Sequence, residues 1–392
     1  MPAVTPCNPA AVLPRRAALA VLAGAGAALA LPRRTFAQPA APAPFIDPRA
    51  FGARLDGATD DTAALQRAID EAGRTGRTLF LPAGRALVSD PDRDGACLRL
   101  TRAITITGEG ALRSCLVPVR GLPPSAAALA IAPDPGFAAD HLTLSAFAIA
   151  LPDDGRRGGG PAIAALTGRG TGPLPKLTIR DLFVGLGAGP AILHRNDRAA
   201  QPTGGLYGAA IENCQLRGSV RLEGSGDSNR IIGCIVSGPG VGIFAHLIEG
   251  AALLSVTDCN ITADDGGLDV AGDAILIERS IIEHSAPGPA GGALVRVGAP
   301  GRRSRGCRLA HCVLSAFGQS RASHLVRATG TDGLSLAGNL FLSGQAGRQA
   351  IRLEADCRDT LIGPNGRNAN VPADPPGLAA SRTPGPDFAI DR

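Results

Sequence analysis

LLSVTDCNITADDGGLDVAG, residues 253–272, holds the pattern that decides the fold. An aliphatic residue, two residues of any kind, a Cys, one more residue and a second aliphatic give Val256, Cys259 and Ile261. The same offsets recur at Ile211–Cys214–Leu216, Ile231–Cys234–Val236, Ile277–Ser280–Ile282, Leu309–Cys312–Leu314 and Leu336–Asn339–Phe341. Upstream they recur at Leu144–Phe147–Ile149 and Ile179–Leu182–Val184. Successive central positions are 35, 32, 20, 25, 21, 32 and 27 residues apart. A shortest step near 20, lengthened by insertions, is the period of a solenoid with one coil per repeat. Helical periodicity is absent, aliphatic residues alternate with small or polar ones, and each unit reads strand, turn, strand, Gly-rich turn, strand. One coil cannot bury its apolar face alone, so the pattern predicts an all-β, right-handed parallel β-helix, its strands about 4.8 Å apart along the axis.

Composition agrees. Gly at 52 of 392 residues is about twice the usual share, as a chain turning three times per coil requires. The net charge of +5 is misleading, because Arg15, Arg16, Arg33 and Arg34 lie in residues 1–37, which hold no acid. The remainder carries 35 bases against 34 acids, which predicts no nucleic-acid partner. Pro14-Arg15-Arg16 before the apolar run Ala17–Leu31, with Thr35-Phe36-Ala37 after it, reads as an export signal of twin-arginine type cleaved after Ala37. The run is too short to span a bilayer comfortably. The expectation is a periplasmic or secreted protein that meets the Tat export machinery and keeps no stable membrane span. A Pro/Ala linker (38–45) leads into the solenoid (46–365, with a cap at 46–90), and a Pro-rich tail (366–392) follows.

In the cap, Thr59, Asp60 or Asp61 can start a helix. Leu65, Ala68, Ile69 and Ala72 give it one apolar stripe, and Gly73 is the expected stop. Thr78–Leu81 and Arg85–Val88 read as strands. This run, FGARLDGATDDTAALQRAID followed by LFLPAGRALV, resembles the N-terminal cap of the pectate-lyase-3 superfamily. That group includes pectate-lyase-like, polygalacturonase-like and rhamnogalacturonase-like β-helix proteins and phage tailspike domains. The resemblance implies that Asp56, Asp60 and Asp61 shape the cap, and that active-site carboxylates lie on the turn and strand entering the third side of a coil. The polygalacturonase mechanism is not implied: Ser237-Gly238-Pro239 stands where an Asn-Thr-Asp is needed, and the His-Gly and Arg-Ile-Lys motifs are missing.

Alternation in the third strand sends Val220, Leu222, Ile243, Ala245, Leu268, Val270, Val295, Val297, Val326, Ala328, Ile351 and Leu353 inward. One outward column then runs Arg221, Phe244, Asp269, Arg296, Arg327, Arg352, with Glu223, His246 and Glu354 beside it. Arg suits carboxylates, which it holds bidentately, and Phe244 suits a sugar face. The residues assigned to substrate binding are therefore Arg221, Glu223, Phe244, His246, Arg327 and Arg352, and the expected partner is an acidic, uronate-containing polysaccharide. Asp264, Asp265, Asp269 and Arg296 are the catalytic candidates, because clustered carboxylates can supply an acid beside a base. Two arrangements remain open. The Asp264, Asp265 and Asp269 cluster can serve with Glu223 as a hydrolase's carboxylates, or the three Asp can hold Ca2+ while Arg296 or Arg327 takes a proton, as in pectate lyases. No other cofactor is expected. A hydrated strand face with Asp269 and Arg296 as a cross-strand pair and a plain Asx-rich turn are the competing structural readings, and a non-catalytic glycan-binding or scaffold protein is the competing function.

Insertions at 152–161, 195–205, 285–292 and 299–306 are expected to wall a groove. Cys214, Cys234, Cys259 and Cys312 share one offset and should stack as buried, unbridged thiols, because parallel Cβ vectors suit a disulfide torsion poorly. Cys97 and Cys115 are left open as a pair.

Overall fold

The structure is a computed structural model. It describes residues 44–372 apart from 90–94, 135–140, 151–157, 168–171, 186–188, 197–204, 225, 248–252 and 285–291. The export signal, nearly all of the linker, the tail beyond Pro372 and most of the three insertions at 152–161, 195–205 and 285–292 lie outside the described residues.

Three long sheets wind into a right-handed parallel β-helix. The first and second have 12 strands each and the third has 10. Every pairing between their strands is parallel, and each strand pairs with its equivalent in the next coil. Neighbouring coils bury one continuous core of aliphatic side chains, including Ile231, Val236, Val256, Ile261, Leu268 and Val270. Among the described residues no helix is long and apolar enough to cross a membrane.

The corner between the first and second sheets is built by a residue the repeat pattern leaves unspecified. Ala146, Asp181, Asn213, Asp258, Arg279 and His311 all have φ between 49° and 57°, and Gly233 and Gly338 take the same place in their coils. A left-handed residue turns the chain sharply, and Asn and Asp tolerate it best. The amides of Asp181, Asn213, Asp258, Arg279 and His311 each donate to a carbonyl of the next coil at 3.0–3.2 Å. Parallel stacking therefore continues around the bend.

The next residue in each coil is the repeat's central position, and there the predicted ladder forms. Cys214, Cys234, Cys259 and Cys312 are buried and unbridged. Their thiols donate to carbonyls of an earlier coil, as in Cys234 Sγ to Ile211 C=O at 3.5 Å and Cys259 Sγ to Ile231 C=O at 3.6 Å. Ser280 and Asn339 continue the ladder by accepting from the amides of Cys259 and Cys312. Cys97 and Cys115 are also free thiols and lie in different sheets.

The cap helix spans Thr62–Thr75 and buries Leu65, Ala68, Ile69 and Ala72. It does not stop at Gly73. That residue packs against the Arg102 side chain, and Gly76, at φ +67°, ends the helix. Asp60 caps the first turn through the Thr62 amide at 2.9 Å. Asp61 is buried and instead accepts from the amides of Arg54 (2.7 Å) and Leu55 (2.9 Å), tying the preceding loop to the helix. At the other end Gly366–Arg367 pairs with Leu340–Phe341 and Val371 is buried, so the second sheet runs past Asn365.

Candidate active site

The third sheet positions the site, because in-register parallel strands stack one outward residue per coil. Arg221 pairs with Phe244, Phe244 with Asp269, Asp269 with Arg296, Arg296 with Arg327, and Arg327 with Arg352. The predicted column is present. A second outward column, two residues along the strand, runs Arg195, Glu223, His246, Ala271.

Each carboxylate of this face takes bonds from two cationic or imidazole groups. Glu223 accepts from Arg221 (2.8 and 3.0 Å) and Arg195 (3.4 Å). Glu354 accepts from Arg327 (2.8 Å) and Arg352 (3.0 Å). Asp269 accepts from His246 Nε2 through Oδ1 (2.8 Å) and from Arg296 Nε through Oδ2 (2.7 Å). Two guanidiniums one strand spacing apart would repel, and a carboxylate shared between them removes that cost. Burial pushes the Asp269 carboxyl up, but the His246 bond and the adjacent Arg296 charge outweigh it and hold the group below its ordinary range. Glu354 is likewise raised by burial and lowered further by Arg327 and Arg352, with a net downward shift.

His246 sits at the centre of the cluster. Its ring stacks on Phe244 (centroids 4.2 Å apart, planes 20° apart), and Arg221 covers the Phe244 ring at 4.5 Å. Nε2–H points at Asp269, which leaves Nδ1 as the acceptor, and Nδ1 forms no hydrogen bond among the described residues. His246, Asp269, Arg296 and Arg327 line a pocket of about 170 Å³ together with Gly298, Ala299, Pro300 and Thr329. The 299–306 insertion supplies one wall and leaves the column open. Arg302 reaches the Leu247 carbonyl and Arg303 the Asp356 carbonyl (3.0 Å), while the Arg221, Arg327 and Arg352 side chains stay 39%, 43% and 51% exposed.

Asp264 and Asp265 depart from expectation. Both are exposed, neither lines the pocket, and neither carboxylate makes a hydrogen bond or ion pair among the described residues. Their backbone is what reaches the cluster, through Arg296 donating to the Asp265 carbonyl at 3.3 Å. The Ca2+ arrangement does not fit these donors. Both Asp269 oxygens are occupied, and no group of three His, Cys, Asp or Glu among the described residues is placed to hold a metal ion.

A family model described as rhamnogalacturonase A/epimerase, pectate lyase-like, matches residues 45–117. That match covers the cap and the first coils of the β-helix. No curated protein sequence matches the chain. Solved structures do. The A-module of mannuronan C-5 epimerase AlgE4 from Azotobacter vinelandii aligns with a TM-score of 0.61 at 17% identity, over 82% of this chain and 95% of that one. DFA-IIIase from Arthrobacter chlorophenolicus A6 aligns with a TM-score of 0.60 at 14% identity, over 83% and 84%. The surface adhesin PfbA of Streptococcus pneumoniae aligns with a TM-score of 0.53 at 13% identity, over 83% and 90%. At these identities the likeness concerns the fold.

Proposed function

We propose that the protein is an exported enzyme that acts on a uronate-containing polysaccharide by removing the proton on the carbon beside the uronate carboxylate. His246 is the base. Asp269 fixes its tautomer and offsets the imidazolium charge, and Arg296 and Arg327 face the substrate carboxylate, whose charge grows as the proton leaves. The proton passes to Nδ1, and the electron pair left behind either takes a proton from water on the opposite face, inverting the carbon, or forms a double bond as it expels the neighbouring glycosidic oxygen, which takes its proton from water. The observation that carries this reading is the His246–Asp269–Arg296 set opening into one pocket beside Arg327. The fold's likeness to an epimerase of mannuronan supports it.

Hydrolysis by paired carboxylates is the weaker chemistry here. It needs one carboxyl that keeps its proton near neutral pH, yet Asp269 and Glu354 are held low and Glu223 is bonded by two guanidiniums. The test is incubation of the purified protein with mannuronan, guluronan and galacturonan, following ultraviolet absorbance of unsaturated ends, reducing ends and proton NMR of epimer content. New absorbance or epimers supports the reading. Reducing ends alone would replace it with hydrolysis, and binding without turnover with a glycan-binding role.

A further inference from the structure

Behind the exposed cluster, the turn bearing Asp264 and Asp265 is held from inside the solenoid. His284 ends the strand Ile281–His284 and is buried, with the small Ala316 opposite it in the next coil. Its Nε2 lies 2.6 Å from the Asp264 carbonyl and its Nδ1 2.6 Å from Ser320 Oγ. A carbonyl only accepts, so Nε2 carries the proton and Nδ1 accepts the Ser320 hydroxyl. The Ser320 carbonyl accepts in turn from Arg348 at 2.7 Å. Arg348 is itself buried and spends its other donors on the Ala316 carbonyl (2.7 Å) and Gln345 Oε1 (2.9 Å).

The turn has little freedom between these supports. A Cβ on Gly267 would collide with the Ile282 side chain, and Gly266 sits at φ +123°. On the groove side the Asp265 carbonyl accepts from Arg296, the same side chain that holds Asp269. A continuous path of hydrogen bonds and one turn of backbone therefore runs from Arg348 through Ser320, His284 and residues 264–265 to Arg296, Asp269 and His246. We infer that His284, oriented by Ser320, is a positioning residue that fixes the 264–265 turn and, through the Asp265 carbonyl, the seat of Arg296 against Asp269. The kinetic side of this inference rests on the proposed uronate reaction, whereas the structural side does not.

The test uses the full chain with His284→Leu, His284→Gln and Ser320→Ala, since a Gln amide can still donate to the Asp264 carbonyl. Hydrogen exchange is followed over residues 260–270, with kcat and KM on the best uronate polymer measured in parallel. Leu should speed exchange in the turn about tenfold while leaving the final coils unchanged. It should lower kcat by about 10- to 100-fold with KM moved less than about threefold, as misplacement of reacting groups does. Ser320→Ala should shift both readouts the same way by less, and Gln should restore most of the loss. Unchanged turn exchange in both Leu and Ala variants, a loss confined to KM, or Gln no better than Leu would overturn the inference. If the Leu variant does not fold, Ser320→Ala, which deletes one hydroxyl, decides alone. If the wild type turns over no uronate but the exchange pattern holds, the uronate reading falls and the positioning of the turn by His284 stands.

Discussion

His246 and Asp269 lie on adjacent coils, with 2.8 Å between the imidazole Nε2 and the carboxylate Oδ1. The pair exists because parallel strands in register place residue 246 diagonally across from residue 269, and Ala271, directly opposite His246, is too small to compete for the ring. If His246 is the base, His246→Ala should lower kcat by about 10²- to 10⁴-fold with little change in polymer affinity. Asp269→Asn should lower kcat as well, by disturbing the tautomer. Stopped assays on uronate polymer with a parallel binding titration separate the two effects.

Glu354 occupies Arg327 and Arg352 much as a uronate carboxylate would. Replacing it with Gln removes the internal competitor and one negative charge from the groove, so affinity for oligouronate should rise several-fold and its dependence on salt should steepen. Arg327→Ala should weaken binding instead. Arg327 itself is 43% exposed, so the cost to stability is at most about 1 kcal/mol, and the melting temperature should hardly move. Calorimetric titration at two salt concentrations reads both variants.

The strand alternation made the Arg221–Arg352 column legible before any coordinates, because a period of two leaves no choice once the inward face is known. The Cys ladder was legible from its shared offset in the repeat, because in-register coils stack equivalent positions. What alternation cannot show is where a long side chain turns along its strand. A cross-strand pair of Asp269 with Arg296 was legible as the plain reading of that face, but the sharing of each carboxylate between two groups was not, nor was the place of His246 at the centre of the cluster. Asp264 and Asp265 drew attention as a carboxylate pair, but the turn aims its carbonyls, rather than its carboxylates, at the neighbouring groups. His284, Ser320 and Arg348 are 28 to 36 residues apart in their contacts, and no local motif joins them.

Three thiols of the ladder should be chemically silent, whereas Cys214 is shifted down by its contact with the Cys234 thiol and is shielded by burial instead. Cys234 is pushed up to about 12, first by its contact with the Cys214 thiol and then by burial. Cys259 is driven upward in the same way by Cys234 and burial, and burial, with a smaller push from the Glu278 charge, takes Cys312 to about 11. The thiolate is the reactive form, so these groups should resist alkylation in the native protein at pH 8. After unfolding without reductant, mass spectrometry should find Cys214, Cys234, Cys259 and Cys312 all labelled. A bridge among any of them would contradict the in-register stacking.

His194 should give the solenoid a stability step in mild acid. The ring is buried on the inner face of the third sheet, bonded to Thr167 Oγ1 at 3.1 Å, and burial lowers its pKa from 6.5 to about 4, against a smaller upward pull from Glu223. A folded pKa below the unfolded one means that the unfolded chain binds the extra proton between these values. Stability is therefore complete above pH 6.5 and declines as pH falls toward about 4. A difference of that size corresponds to roughly 3 kcal/mol. His194→Gln keeps a polar partner for Thr167 but cannot be protonated. Urea unfolding at pH 7, 5.5 and 4 should show the wild type losing about that much more than the variant, and parallel curves would show that His194 is not the titrating group.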